Sequence, residues 1–298
     1  MIYDCLIVGA GPGGLSAALY FGRAGVSTII IEKSAPGGKV ITTSSVENYP
    51  GVVSSTGPNL ALNMMAQIKP YSIPFKYEEV IEITKDNDLF ITKTNQNTYT
   101  SKYVIVSTGT INRQLGVAGE MKYMNRGVSY CAVCDGMLYK DKEVMVVGAG
   151  NSAFEESLYL AKICKKVSIV HRSTSFRASA ELIEKVKNTE NIKLITDTTV
   201  ESFNGDTILK SVTLKHLDSK EEYMVDGVFI YIGFIPCTDF LKEFNVLDDA
   251  GFIKVNQNCE TSVEGLYAVG DCTNHVVKQI GCAVGHGITA SNIIIKKL

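Results

Sequence analysis

The sequence has almost no net charge: 29 lysines and arginines stand against 31 acids, a formal balance of -2. Such a chain offers no basic face to nucleic acid and no polybasic segment to an anionic membrane. A long uninterrupted apolar run is also missing. The stretch from Leu15 to Ile31 is broken by Arg23 and several glycines, which excludes a membrane span. No basic leader or small-residue cleavage site is found, because Met1-Ile2-Tyr3-Asp4-Cys5 runs directly into apolar sequence. A cytoplasmic location is therefore expected. In that reducing setting, eight cysteines do not indicate a disulfide scaffold. Cys237, Cys259, Cys272 and Cys282 are scattered without a second close pair, so no metal site is expected. At 298 residues the chain has room for one or two domains with a sizeable core.

What is present is one close pair, in Ser129-Tyr130-Cys131-Ala132-Val133-Cys134-Asp135-Gly136. Two thiols at this spacing can close a disulfide and share two electrons, and in a reducing compartment such a pair points to redox chemistry. An acid follows directly. A carboxyl there can carry the proton that accompanies the electrons. Aspartate is equally a common helix N-cap, and the two roles are compatible.

A glycine-rich turn lies on each side of this stretch. Ile2 to Val8 reads as a buried strand, followed by Gly9-Ala10-Gly11-Pro12-Gly13-Gly14 and a helical run from Leu15 to Ala24. Val26 to Ile31 is the next strand, ending at Glu32. This is a dinucleotide-binding unit: glycines admit a pyrophosphate, the helix N-terminus offers it free N–H groups, and the acid accepts ribose hydroxyls. Glu143 to Val147, Gly148-Ala149-Gly150-Asn151-Ser152-Ala153, a helix from Phe154 to Lys162 and a strand from Val167 to Val170 repeat it. Gly9 to Glu32 and Gly148 to His171 have the same separation. The second unit ends in His171-Arg172, where basic groups suit an extra phosphate.

Between and beyond these units, Gly57 to Lys69 reads as a helix stopped by Pro70. Val80 to Ser107 reads as short antiparallel strands, closing on Ser107-Thr108-Gly109. Ser179 to Asn188 is helical in pattern. Ile192 to Ile232 reads as several strands, with turns at Asn204-Gly205 and Asp218-Ser219. Leu266 to Val269 is a strand closing on Gly270-Asp271, and Gln279 to Ile295 is the last helix.

Taken together, the GAGPGG turn, the STG turn, the CAVCDG pair, the GAGNSA turn and the late AVGD resemble the low-molecular-weight thioredoxin reductases over essentially the whole chain. The Cys-x-x-Cys-Asp between the two fingerprints discriminates. No further cysteine pair accompanies Lys296-Lys297-Leu298, which resembles the small class of these enzymes. The resemblance implies an α/β fold of two Rossmann-like, three-layer ββα dinucleotide domains, the second inserted into the first. FAD-domain segments at 1–115 and 240–298 would flank a nicotinamide-type domain at 116–239. It also implies a homodimer, FAD as cofactor, NADPH as donor and thioredoxin, or a thioredoxin-like protein, as partner.

The same resemblance assigns residues. Gly9, Gly11, Pro12, Gly13, Gly14, Glu32 and Lys33 would hold the adenosine half of FAD. Gly38, Lys39, Asn48, Val80, Thr108 and Gly109 would contact the cofactor further along. Gly270 and Asp271 would hold the ribityl or pyrophosphate region, with Lys278, Gln279 and Ile280 near the isoalloxazine. Gly148, Gly150, Asn151, Ser152, Ala153, His171, Arg172, Arg177 and Gly233 would hold the nicotinamide nucleotide. Cys134 would be the sulfur facing the flavin, Cys131 the one that attacks the partner, and Asp135 the proton donor and acceptor.

Three positions depart from the family pattern. Ser173 stands where a second arginine is usual, and a charged bond to phosphate contributes ~1.5–3 kcal/mol. Lys39 replaces a usual glutamine, and Lys278 a usual arginine. A ferredoxin-fed version of the same reductase is the alternative these changes raise. A ferredoxin near about -400 mV can reduce a thioredoxin near about -270 mV. A flavin dithiol oxidase and a non-catalytic FAD redox sensor are further alternatives.

Overall fold

The computed structural model describes residues 1–43, 46–217 and 219–298. The expected turn at Asp218-Ser219 falls on Asp218, which lies outside the described residues. The chain forms two compact units, one of residues 1–111 and 235–298, the other of residues 112–234. The sequence reading set the breaks after 115 and 239 instead. The passages between units run through two short strands paired with each other, β7 (Thr110–Asn112) and β16 (Phe234–Pro236).

The first unit opens with β1 (Ile2–Val8), α1 (Pro12–Ala24) and β2 (Thr28–Glu32), then α2 (Gly57–Ile68) and β3 (Phe75–Tyr77). Next come β4 (Val80–Asp86), β5 (Leu89–Thr94) and β6 (Thr98–Val106). The unit is completed by β17 (Leu266–Ala268) and α6 (Ile280–Lys297). Its sheet runs β3-β2-β1-β6-β5-β4, with β17 also paired to β6. The pairs β1–β2, β1–β6, β2–β3 and β6–β17 are parallel, whereas β4–β5 and β5–β6 are antiparallel. On β1, alternate side chains separate the two faces. Cys5 and Ile7 face a core that includes Leu15, Phe21, Met64 and Ile294. Leu6 and Val8 face another that includes Ile83, Phe90 and Leu241. That alternation is the period-2 geometry of a strand buried on both sides.

The second unit contains β8 (Val128–Ser129), α3 (Ala132–Asp135), β9 (Glu143–Val147), α4 (Asn151–Ala161) and β10 (Lys166–Val170). It continues with α5 (Ala180–Lys187), β11 (Ile192–Ile195), β12 (Thr198–Gly205), β13 (Leu209–His216), β14 (Ser219–Met224) and β15 (Gly227–Ile230). A parallel sheet, β11-β10-β9-β15-β8, lies between helices and the antiparallel sheet β12-β13-β14. Val144 and Val146 pack on the helical side with Phe154 and Leu160. Met145 and Val147 pack on the side of Phe203, Val212 and Leu214. The architecture is thus the expected pair of ββα nucleotide-binding folds, one inserted in the other. The turn expected at Asn204-Gly205 sits later, because β12 pairs with β13 through Gly205 opposite Leu209.

Candidate active site

Cys131 and Cys134 form a disulfide, with their Cα atoms 5.3 Å apart. The pair occupies the passage from β8 into α3. Cys131 is the extended N-cap residue of α3, and its Sγ accepts the Cys134 N–H at 3.2 Å. The other amides here are also engaged. The Cys131 N–H donates to Ser129 Oγ at 3.1 Å, the Ala132 N–H to the Tyr231 hydroxyl at 2.5 Å, and the Asp135 N–H to the Cys131 carbonyl at 3.0 Å.

Asp135 closes α3, and its side chain caps no helix. Its Oδ2 accepts the Ser129 hydroxyl at 2.6 Å. Burial pushes the carboxyl above the usual aspartate range, and the Ser129 bond pulls it part of the way back. A carboxyl shifted in this direction keeps its proton to higher pH than an exposed aspartate does, and can pass it to a nearby thiolate. Burial also raises Tyr139, to about 12, with Asp135 as the next cause. Cys131 and Cys134 are partly exposed, whereas Ser129 is only 4% exposed.

The first glycine turn is held by steric necessity. Gly9 has φ +99°, and a Cβ there would lie 2.5 Å from the Ser107 carbonyl oxygen. A Cβ on Gly14 would lie 2.1 Å from the Gly9 carbonyl oxygen. A Cβ on Gly11 would lie 4.0 Å from the Ser107 carbonyl oxygen, an ordinary contact, and no side chain caps α1 among the described residues. Pro12 is the first residue of α1, and Gly13 is buried within its first turn. Glu32 is buried, with Oε2 accepting the Ala10 N–H at 2.7 Å and Oε1 the Ser34 N–H at 2.8 Å. Lys33 is exposed and pairs with Glu79 at 3.8 Å.

Residues remote in sequence gather near this turn. A Cβ on Gly38 would lie 3.5 Å from Gly11 Cα. Lys39 Nζ pairs with Asp271 at 2.7 Å and donates to Thr110 Oγ1 at 2.8 Å. The Asn48 amide donates to Gln279 Oε1 at 3.4 Å, and the Thr108 hydroxyl to the Cys237 carbonyl at 2.7 Å. Gly109 and Gly270 have φ +65° and +72°, and Ile280 begins α6. The Lys278 amine donates to the Thr273 carbonyl at 2.6 Å, and burial lowers its pKa against the opposing pull of Asp271. Val80 begins β4 at the sheet edge. The glycine turn, the helix N-terminus without a side-chain cap among the described residues, and the buried Glu32 fit the phosphate and ribose groups of a dinucleotide such as FAD.

The second turn follows the same plan with different chemistry. Gly148 has φ +135°, and a Cβ there would lie 2.2 Å from the Tyr231 carbonyl oxygen. Among the described residues, a Cβ on Gly150 would meet nothing within 4 Å, and no side chain caps α4, which follows it. Asn151 and Ser152 are exposed at the start of α4, and Ala153 is buried. Asn151 Oδ1 accepts the Ser179 N–H at 2.9 Å. Gly233 is exposed, with φ +109°. At the strand end, His171 Nε2 lies 3.2 Å from Ser173 Oγ and 3.1 Å from the Ser175 carbonyl. Burial lowers the His171 pKa, and the charges of Arg172 and Arg177 lower it further. Both arginines are exposed, and neither guanidinium forms a hydrogen bond or ion pair among the described residues. This set fits a nucleotide bearing an extra phosphate.

Sequence reasoning missed Ser129 as the partner of Asp135, Tyr231 as the acceptor for Ala132, and Thr110 as the partner of Lys39. Ser129 lies two residues before Cys131, so its proximity was visible. Tyr231 carried no local signal.

A profile of the pyridine nucleotide-disulphide oxidoreductases matches residues 3–287, and the chain belongs to that family. The thioredoxin reductase of Mycoplasma pneumoniae is 44% identical over 97% of this chain and 93% of its own length. That of Bacillus subtilis is 37% identical over 98% and 94%. The crystal structure of thioredoxin reductase from Streptococcus pyogenes MGAS5005 has a TM-score of 0.94 at 38% identity, covering 99% of this chain and 97% of that one. Within the family, these likenesses put the chain in the low-molecular-weight thioredoxin reductase class.

Proposed function

We propose that the chain is an FAD-dependent thioredoxin-disulfide reductase drawing electrons from NADPH, with a Cys131–Cys134 dithiol as the relay. The observation that carries this reading is the disulfide itself, followed directly by a half-buried acid in the unit that also bears the second fingerprint. The first unit is read as the FAD domain and the second as the NADPH domain. When bound, FAD supplies the two-electron carrier between nicotinamide and disulfide. Gly9, Gly11, Pro12, Gly13 and Gly14 admit its pyrophosphate and Glu32 takes a ribose. Asp271, steadied by Lys39, takes a polar group further along. Gly148 to Ala153, with Arg172 and Arg177, hold NADPH.

Reduction breaks the Cys131–Cys134 bond with two electrons, and Asp135 gives its proton to the leaving sulfur. In exchange, the Cys131 thiolate attacks the partner disulfide and forms a mixed disulfide. The first partner thiolate leaves and takes a proton through Asp135. Cys134 then attacks Cys131 Sγ, which restores the internal disulfide and frees the second partner thiolate. The partner is thioredoxin or a thioredoxin-like protein, and the active species is read as a cytoplasmic homodimer.

Replacing Cys131 or Cys134 with serine is expected to abolish thioredoxin reduction while the protein stays yellow with FAD. Full turnover in either variant would sink the dithiol relay. The donor is tested by stopped-flow bleaching of the flavin. Bleaching by NADPH supports the reading, whereas bleaching by reduced ferredoxin with none by NADPH or NADH replaces that donor.

A further inference from the structure

Resting on that reading, we infer that Ser129 is a positioning residue for the reaction, tying the acid Asp135 to the backbone of Cys131 so that the proton serves Cys131 and not Cys134. The Ser129 hydroxyl makes both contacts from one atom. It donates to Asp135 Oδ2 at 2.6 Å and accepts the Cys131 N–H at 3.1 Å. A third link runs from the Asp135 N–H to the Cys131 carbonyl at 3.0 Å. The acid is thereby attached at two points to Cys131. Cys134 instead spends its N–H on Cys131 Sγ.

Among the described residues, Ser129 is the one hydrogen-bond donor to this carboxyl. Ser129 comes from β8 and is buried. Tyr139, in the turn that follows α3, and Tyr231, just beyond β15, both feel the Asp135 charge. Glu156 on α4 faces Tyr231, and its buried Oε2 has no hydrogen-bond partner among the described residues. Both tyrosines are held above their ordinary range by burial, so each remains a neutral phenol. No cation forms an ion pair with Asp135 among the described residues. The Ser129 hydrogen bond therefore opposes burial without a competing charge.

The chemistry that follows is specific. With FAD bound, a pair of electrons delivered at Cys134 would break the S–S bond, and Cys131 would be the sulfur that leaves. Asp135 passes its proton to Cys131 Sγ and becomes a carboxylate, which the Ser129 hydroxyl stabilises. In exchange with the partner, Cys131 returns that proton to Asp135 as it attacks. Ser129 keeps the Cys131 amide and the acid in register through both halves.

The test is a double-mutant cycle in the FAD-loaded enzyme, with Ser129→Ala, Asp135→Asn and the pair together. Flavin absorbance verifies that each variant is folded. Ser129→Ala is expected to slow turnover about tenfold, the cost of a hydrogen bond to a charged group. The pH at which Asp135 ceases to act as an acid should move upward, because the lost bond favoured the carboxylate. In the Asp135→Asn background, removing Ser129 should cost nothing further. Alkylation of the reduced enzyme by iodoacetamide should change its pH dependence at Cys131 and not at Cys134. Ser129→Gly should repeat the pH shift. An unmoved pH profile, or the same tenfold cost in both backgrounds, overturns the role of Ser129. Full turnover in Cys131→Ser overturns the dithiol reading instead, so the two failures are separable.

Discussion

The two glycine turns share a plan and differ in how they finish it. Both need a left-handed glycine at the strand exit, Gly9 in one and Gly148 in the other. At the helix contact the first turn needs Gly14, whereas the second holds a buried Ala153. At the strand end the first has a buried Glu32 bonded to two amides of its own unit. The second ends in exposed Arg172 and Arg177 beside a histidine tied to its own loop. The first site is shaped before ligand arrives. The second offers unpaired charge that binding must order, at a cost in side-chain entropy. A tightly held cofactor suits the first design, and a nucleotide that comes and goes at each turnover suits the second.

The strongest way to break this contrast is to add one methyl group to each turn. In Gly14→Ala the new Cβ meets the Gly9 carbonyl oxygen at 2.1 Å, and neither backbone can yield without moving β1 from α1. We expect a loss of about 3 kcal/mol or more and a protein purified without FAD. Gly150→Ala places its methyl in open space, so the fold survives at a cost under about 1 kcal/mol, while NADPH binding weakens. Thermal melts and flavin absorbance report the first variant, and flavin bleaching by NADPH the second. A yellow, fully stable Gly14→Ala protein would show that the first turn is no tighter than the second.

How much of this was visible in the sequence follows from the same physics. The turns were legible because a positive φ and a close backbone approach demand glycine at fixed local spacing, and the flanking strands announce themselves by apolar runs. Cys131-Cys134-Asp135 was legible for the same local reason. The Lys39–Asp271 pair was not, because the long stretch of chain between the two residues carries no signal of which charges meet. Lys39 and Asp271 were each singled out, but only as separate cofactor contacts. Tyr231 reaches the Ala132 N–H from just beyond β15 and left no trace beside the dithiol in the sequence. The passages at 111/112 and 234/235 were displaced by a few residues because β7 and β16 read as irregular sequence until paired.

The strand-end chemistry gives a smaller and reversible effect. Arg172→Ala and Arg177→Ala should each raise the KM for NADPH about tenfold, since each removes a charge-assisted bond to phosphate. Ser173→Arg should lower it by a similar factor, because it restores a cation where the serine hydroxyl now serves His171 and the Ser175 carbonyl. Chemical reduction of the flavin by dithionite should proceed at the unaltered rate in all three. If these changes move NADH and NADPH kinetics equally, the basic end does not read the extra phosphate.

The smallest effect separates the units by their response to acid. In the first unit, Glu260 accepts hydrogen bonds from Asn256 at 3.0 Å and Lys297 at 2.8 Å, fastening α6 to the residues before β17. The Asn256 bond, then the Lys297 bond, hold the Glu260 carboxyl down to about 2. In the unfolded chain the same carboxyl titrates near about 4.3. Its contribution is therefore complete above that pH and vanishes as the pH falls through about 2. With Glu260 only 27% exposed but Lys297 44% exposed, solvent screening limits the contribution to about 1 kcal/mol. The second unit has a comparable pair in Glu181 and Lys185 at 2.6 Å, but both side chains are mostly exposed. Urea midpoints at pH 7 and pH 2 should separate Glu260→Gln from the parent at the higher pH and merge them at the lower. Glu181→Gln should track the parent at both. A Glu260→Gln protein as stable as the parent at pH 7 would remove α6 anchoring as a distinction between the units, and leave the turns and strand ends to carry it.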